Sequence, residues 1–166
     1  MNKNGLTLIE LLVVITILAI LATFSVLALN PVEILKKARD AKRISDITQL
    51  KQAIDLTLAD DGDILAEFGS SAESSRNTDG TGYVKINLSK NMPTLPLPNK
   101  NGINITNSNG ENVIDAYYFQ AVTNSLRYEI KTTFESKEFQ DKLTTDGGNE
   151  TNYYETGSDL TFVLPQ

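Results

Sequence analysis

The chain has 166 residues and a formal net charge of −6, and it contains neither cysteine nor histidine. Its length allows one modest domain in addition to an apolar N-terminal segment. The absence of cysteine and histidine excludes disulfide bonds, the usual zinc sites and catalytic arrangements built on those residues. The sequence also has no P-loop, dinucleotide-binding or nucleophile-elbow motif, so it indicates a protein without a catalytic role.

The charge is unevenly distributed along the chain. Residues 1–46 hold six Lys or Arg against four Asp or Glu, whereas residues 47–166 hold nine against seventeen, a net charge of −8. Binding to a phosphate backbone requires clustered Lys and Arg. The composition therefore argues against nucleic acid as the main partner of the acidic part, whose charge favours solubility.

A short polar leader that ends at Gly5 precedes an apolar segment. After Glu10 the next charged residue is Glu33, so residues 11–32 form 22 consecutive uncharged positions. As one helix they would measure roughly 33 Å, which is enough to span a bilayer. A conventional secretory signal has a shorter apolar region followed by a small-residue cleavage site. Neither feature is found here, so we expect the segment to be retained.

Glu10 lies at the edge of the apolar segment. An ionisable side chain that faces lipid costs several kcal/mol unless it is paired or close to the headgroups. Glu10 therefore either marks the headgroup boundary or has a charged partner, and the residues alone leave both interpretations open. A plain single-span anchor would explain the hydropathy, but it would explain neither Glu10 nor the glycine just ahead of it.

Residues 5–15 read Gly-Leu-Thr-Leu-Ile-Glu-Leu-Leu-Val-Val-Ile. This sequence resembles the processing and methylation signature of type IV pilins and type II secretion pseudopilins. The resemblance implies that a membrane peptidase cuts after Gly5 and methylates the new amino group of Leu6, where the family usually has phenylalanine. It also implies that Glu10 pairs with the amino group of Leu6 in a neighbouring subunit during filament growth, and Thr7 could add a hydroxyl to that network.

From this resemblance we expect a structural subunit of a type IV pilus-like filament. The precursor would cross the cytoplasmic membrane once and, after cleavage, enter a helical homopolymer outside that membrane, in the periplasm or the extracellular space. Its partners would be the prepilin peptidase and methyltransferase, an assembly ATPase and a membrane platform protein. One alternative is the major pseudopilin of a type II secretion system. Another is a DNA-uptake or adhesive minor pilin whose long loops hold the ligand.

The charges that flank the span give a conflicting signal about its orientation. Only Lys3 precedes the span, whereas five basic residues follow it, and the positive-inside rule would then place the C-terminus in the cytoplasm. In the family orientation the N-terminus is inside and the head is outside. We adopt that orientation because the five basic residues belong to a predicted stem helix: Lys36, Lys37, Arg39, Lys42 and Arg43.

The segment that follows Asn30-Pro31 is predicted to be an amphipathic stem helix. Proline is tolerated in the first turn of a helix and kinks a helix interior, so we expect a kink or a restart there. Asp40 and Arg43 form an i,i+3 pair that we assign to a face away from the apolar one. The apolar face has residues at spacings of three and four: Ile34, Leu35, Ala38, Ala41, Ile44, Ile47, Leu50, Ile54 and Leu58.

The rest of the chain is predicted to be a head of short antiparallel strands and long loops. Segments 69–82 and 92–112 have the composition of loops. Alternation predicts strands at 84–88 and 126–134, the latter in a hairpin with 116–122, and a last strand at 160–164. A small sheet packed on the upper stem would bury both apolar surfaces. The expected fold is therefore α+β and pilin-like, with a leader (1–5), a long helix (6–60: a membrane part, 6–29, and a stem, 31–60) and a head (61–166).

Residues 146–159 form a turn-rich segment with many oxygen ligands. Calcium takes about six to eight such oxygens, partly from backbone carbonyls. The segment is similar to the C-terminal calcium loop of type II secretion major pseudopilins, which also lack the disulfide found in many pilins. The resemblance implies a structural calcium ion with Asp146, Asn149 and Asp159 as side-chain ligands. The alternative is a loop held by hydrogen bonds and packing alone.

Overall fold

A computed structural model of the chain describes residues 7–28, 30–60 and 62–165. The chain divides into two compact units, Met1–Leu35 and Lys36–Gln166. Helix α1 covers Leu8–Ala28, and helix α2 covers Pro31–Ala59. Together with a small antiparallel sheet, these helices confirm the predicted α+β class.

Helix α1 is apolar on all sides. Its large side chains from Leu8 to Phe24 are exposed, from 48% for Val14 to 83% for Leu8. The hydroxyls of Thr16, Thr23 and Ser25 donate to carbonyl oxygens four residues earlier, so no hydroxyl needs a partner outside the helix. Within the described part of the chain, α1 is the one helix long and apolar enough to cross a membrane.

The predicted interruption at Asn30-Pro31 is present as a restart of the helix. Asn30 has a φ of 42°, in the left-handed region that asparagine tolerates better than most residues. The Glu33 amide donates to the Asn30 carbonyl at 3.0 Å and to its side-chain oxygen at 3.4 Å. Pro31, which has no amide hydrogen to satisfy, occupies the first position of α2.

The head contains two antiparallel sheets. The four-stranded sheet has the order β1-β4-β5-β6, and a separate hairpin joins β2 to β3. The strand ranges are β1 Phe68–Ser70, β2 Asn104–Thr106, β3 Asn112–Ile114, β4 Tyr118–Ala121, β5 Tyr128–Thr132 and β6 Tyr154–Gly157. A 3-10 turn at Lys137–Phe139 and a short helix α3, Lys142–Thr145, lie between β5 and β6. The predicted hairpin is confirmed, since β4 pairs with β5 and Phe119 lies opposite Ile130.

One hydrophobic cluster joins the upper part of α2 to the sheet. It combines residues of α2 with residues of β4 and β5 and with the loop that precedes β2. Its buried members include Ile47, Leu50, Ile54, Tyr83, Val84, Ile86, Leu88, Leu95, Phe119, Tyr128 and Ile130. This packing is the arrangement expected of a sheet with one apolar face.

The prediction for the lower part of the stem face was wrong. Within the second unit Ala38 and Ala41 are exposed, Ile44 is partly buried, and the apolar residues of α2 are buried only from Ile47 onward. Below that point the buried positions are Asp40 and Arg43, which the helical pattern assigns to another face. The reason is that this part of the helix packs against carboxylates of the head, which helical periodicity cannot reveal.

Two strand predictions also need correction. Residues 84–88 form no strand and make only isolated bridges, Ile64 to Ile86 and Asp79 to Asn87, although their apolar side chains are buried. Residues 160–164 form no strand either, and the last strand is β6, inside the segment predicted to be a loop. In both segments the backbone bonds to loop backbone or to side chains instead of a strand ladder.

Candidate functional site

Thr7 and Glu10 form a capping box at the start of α1. The Thr7 amide and hydroxyl donate to Oε2 of Glu10 at 2.8 and 2.7 Å, and the Glu10 amide donates to the Thr7 hydroxyl at 3.3 Å. This reciprocal pattern satisfies amide groups that have no partner within the helix. Sequence reasoning missed it, although the Thr-x-x-Glu spacing ahead of an apolar run is its signal.

The capping box gives Glu10 a local function in addition to the one that the resemblance implies. It holds the carboxylate at the positive end of the α1 dipole, beside the exposed side chains of Ile9, Val13 and Val14. A negative charge fixed on an exposed apolar surface is suited to an ionic contact with another chain. Gly5 and Leu6, the predicted cleavage and methylation residues, lie outside the described residues.

Arg43 is the centre of a buried ion network between α2 and the head. Its guanidinium contacts Asp40 at 2.5 Å and both Asp115 and Glu135 at 2.8 Å. All four side chains are at most 3% exposed. Burial lowers the pKa of Arg43, but the carboxylates outweigh that effect and raise it, so the guanidinium stays charged.

Glu135 connects the network to two further cations. Arg39 binds its carboxylate with two hydrogen bonds, at 2.8 and 2.7 Å, and Lys100 adds a third contact at 3.0 Å. Burial alone raises the pKa of Glu135, but the hydrogen bonds from its cationic partners lower it to about 2. The carboxylate is therefore ionised over the whole neutral range.

Asp40 binds the backbone that follows β5. Its two carboxylate oxygens accept hydrogen bonds from the amides of Glu135, at 3.0 Å, and Ser136, at 2.7 Å. One face of α2 thus holds both the side chain and the main chain of residue 135. The network fixes the head on its stem, and only the spacing of Asp40 and Arg43 signals it in the sequence.

The predicted calcium ligands have different surroundings in the structure. Asp146 accepts from the amides of Gly148, at 3.0 Å, and Glu155, at 2.7 Å, while Asn149 is exposed. Asp159 pairs with Arg127 and accepts from the Thr161 hydroxyl at 2.7 Å. Within residues 7–28, 30–60 and 62–165, no group of three or more acidic, His or Cys side chains is placed to hold a metal ion. Because asparagine and backbone oxygens also bind calcium, the calcium site stays a prediction.

The C-terminal segment, residues 158–165, is held across the face of the sheet that points away from α2. Lys131 donates to the Phe162 carbonyl at 2.6 Å, and Gln120 donates to the Val163 carbonyl at 2.7 Å. The Phe162 amide donates in turn to Glu129 at 3.2 Å. Polar side chains of β4 and β5 therefore bind the extended backbone of the segment, and β5 is buried on both faces.

Comparison with known proteins gives a match at the N-terminus of the chain. Residues 1–26 match a family model described as the prokaryotic N-terminal methylation motif. No curated protein and no solved structure gave a significant match to the chain. The matched region includes the capping box and most of α1, so the chain carries at its N-terminus the methylation motif that is the signature of type IV pilins and pseudopilins.

Proposed function

We propose that this chain is a structural subunit of a type IV pilus-like filament. It is inserted in the membrane as a precursor, cleaved after Gly5, methylated at Leu6 and polymerised through its N-terminal helix. A peptidase and methyltransferase process it, and an assembly ATPase and a platform protein add it to the polymer. The subunit itself has no catalytic role.

The observation that carries the proposal is the combination of the methylation motif with the surface of α1. The large side chains of α1 from Leu8 to Phe24 are about half exposed or more on every side, and so long an apolar surface is not stable in water. Lipid can cover this surface before assembly, and the same helix of neighbouring subunits can cover it afterwards. Glu10 then provides the single negative charge within that apolar surface.

Most of the basic residues that follow the span form ion pairs within the stem and the head. Four of the five basic residues after the span contact carboxylates of α2 or of the head: Lys37 with Glu138, Arg39 with Glu135, Lys42 with Asp46, and Arg43 with its three partners. The proposed orientation, with the head outside, follows the family that the methylation motif indicates, against the positive-inside signal.

A second candidate within the same class is the major pseudopilin of a type II secretion system. The absence of cysteine favours it, because the C-terminal segment cannot be closed by a disulfide. Calcium at Asp146, Asn149 and Asp159 would favour it further. A pseudopilin forms a short filament within the envelope, whereas a major pilin forms long surface fibres, so the location of the polymer distinguishes the two.

Shearing of intact cells tests the proposed location. We expect long fibres in the sheared fraction with this chain as their main protein, detected by an antibody against the head. As a matched control, Gly5→Leu should leave uncut precursor in the membrane and remove the fibres. A chain that remains entirely in the envelope, although its precursor is cut, would contradict the pilus and favour the pseudopilus.

A further inference from the structure

Lys131 is a buried lysine surrounded by carboxylates. It lies on β5 directly opposite Glu155 of β6, and both side chains are fully buried. The Lys131 ammonium nitrogen is 2.9 Å from Oε1 of Glu155, 3.1 Å from Glu150 and 3.6 Å from Glu129. One ammonium group thus faces three carboxyl groups in a region from which water is largely excluded.

Glu129 and Glu155 are both buried beside Lys131, which makes it costly for both to be ionised. Glu129 is two residues before Lys131 on the same strand, so its side chain lies on the same face of the sheet. Oε1 of Glu129 is buried, and no hydrogen-bond donor among the described residues reaches it, whereas Oε1 of Glu155 contacts the Lys131 ammonium group. Both carboxyl groups lie within 3.6 Å of the same ammonium nitrogen, and two buried like charges this close to each other favour protonation of one of them.

Glu129 is the member of the pair that is protonated. Burial and the hydrogen bond to Glu155 raise the pKa of Glu129 to about 9, against the opposing charge of Lys131. Burial acts on Glu155 in the same direction, but its hydrogen bonds from Glu129, from the Glu150 amide and from Lys131 lower its pKa. The cluster therefore contains a lysine, an adjoining carboxylate and a neutral acid beside the same lysine.

We propose that Lys131 and Glu155 condense to an intramolecular amide that joins β5 to β6. The Lys131 nitrogen forms a bond to Cδ of Glu155, and the C–O bond to one carboxylate oxygen breaks. Glu129 gives its proton to the departing oxygen and receives a proton from the lysine ammonium. A second ammonium proton completes the departing water and the third stays on the amide nitrogen, so the reaction releases one water molecule and needs no oxidant or other reagent.

Burial and proximity both favour this condensation. Keeping an ammonium and a carboxylate dehydrated is costly, and an amide removes both charges. The reacting groups are already in contact on paired strands, so little translational or rotational freedom remains to be lost. The loop that carries Glu150 also packs closely on Glu155, because a Cβ added at Gly148 would lie 1.9 Å from its carboxylate. This packing limits the access of water that would reverse the reaction.

The amide would close the chain between residues 131 and 155. In a protein without cysteine, such a covalent link constrains the unfolded chain as a disulfide would. It would also tie the C-terminal segment to the centre of the sheet, since β6 immediately precedes it. The bond does not depend on the proposed filament function and can be tested in any folded preparation.

Mass spectrometry of the purified full-length chain in detergent tests the bond. The intact mass should be lower than the sequence mass by one water molecule, after allowance for N-terminal processing. Trypsin should fail to cut after Lys131, because an acylated lysine is not a substrate. The digest should instead contain peptide 128–137 joined to peptide 143–166. A chain of full mass that is cut after Lys131 would overturn the proposal.

Two variants exclude other sources of the mass loss. Dehydration at an Asp-Gly bond removes the same mass, and Asp61, Asp79 and Asp146 each precede a glycine. Lys131→Arg keeps those bonds and the positive charge but cannot form the amide, so it should recover the lost water. Glu129→Gln keeps the size of the side chain and removes its acid, so the linked peptide should be lost or greatly reduced. A mass loss that persists in Lys131→Arg would overturn the assignment.

Discussion

Glu10→Ala is expected to abolish filaments while membrane insertion and cleavage after Gly5 continue. Insertion survives because alanine makes the edge of the span less polar. Polymerisation fails because the amino group of a neighbouring Leu6 would be buried without its carboxylate, at a cost of several kcal/mol. The measurement is the amount of this chain in the sheared fraction, compared with the amount of cleaved chain in the membrane.

The capping box requires a matched control for this experiment. Loss of the cap alone could unwind the first turn of α1, at a cost of roughly 0.5–2 kcal/mol. Glu10→Gln keeps an acceptor that suits a capping box and removes only the charge. We expect Glu10→Gln to fail in polymerisation as Glu10→Ala does. Normal filaments from Glu10→Gln would contradict the ionic pairing and assign Glu10 to capping alone.

Arg43→Ala is expected to destabilise the head more than any other change at a charged residue of α2. It leaves Asp40, Asp115 and Glu135 buried beside one another without their central cation. Breaking a buried ion pair in this way typically costs about 3–5 kcal/mol. Denaturant unfolding of the full chain in detergent measures this loss of stability, with near-ultraviolet circular dichroism of the buried tyrosines as the signal.

Lys51→Ala provides the matched control on the same helix. Lys51 pairs with Asp55 at 2.6 Å, but the two side chains are 36% and 47% exposed. An exposed i,i+4 pair contributes only about 0.3–0.5 kcal/mol. We therefore expect Arg43→Ala to lower the free energy of unfolding much more than Lys51→Ala does. If the free energies of unfolding of Arg43→Ala and Lys51→Ala differ by less than about 1 kcal/mol, the network does not hold the head on the stem.

The helices and the central hairpin could be predicted because their signals are local. An uncharged run identifies α1, and the spacing of Ile47, Leu50 and Ile54 identifies the part of α2 that packs on the sheet. Alternation in residues 126–134 identifies β5. In each case the buried side chains recur in the sequence with the period of the helix or of the strand.

The buried charges could not be predicted for the opposite reason. Arg43 contacts Asp115 and Glu135, which lie 72 and 92 residues further along the chain, and no periodicity relates those positions. Alternation also suggests that Glu129 and Lys131 face solvent, as the polar face of an antiparallel sheet often does. The C-terminal segment covers that face. Its backbone is hydrogen-bonded to side chains of β5 instead of to another strand, which explains why residues 160–164 do not form the predicted strand.

The central claim is that the cleaved chain polymerises, and the most direct test is the N-terminus of the chain within the polymer. Filaments sheared from cells are purified and digested, and the N-terminal peptide is identified by mass spectrometry. The account predicts a chain that begins at Leu6 with a methylated amino group and lacks residues 1–5. Polymer whose subunits retain the leader, or a cleaved chain that never enters a polymer, would contradict it.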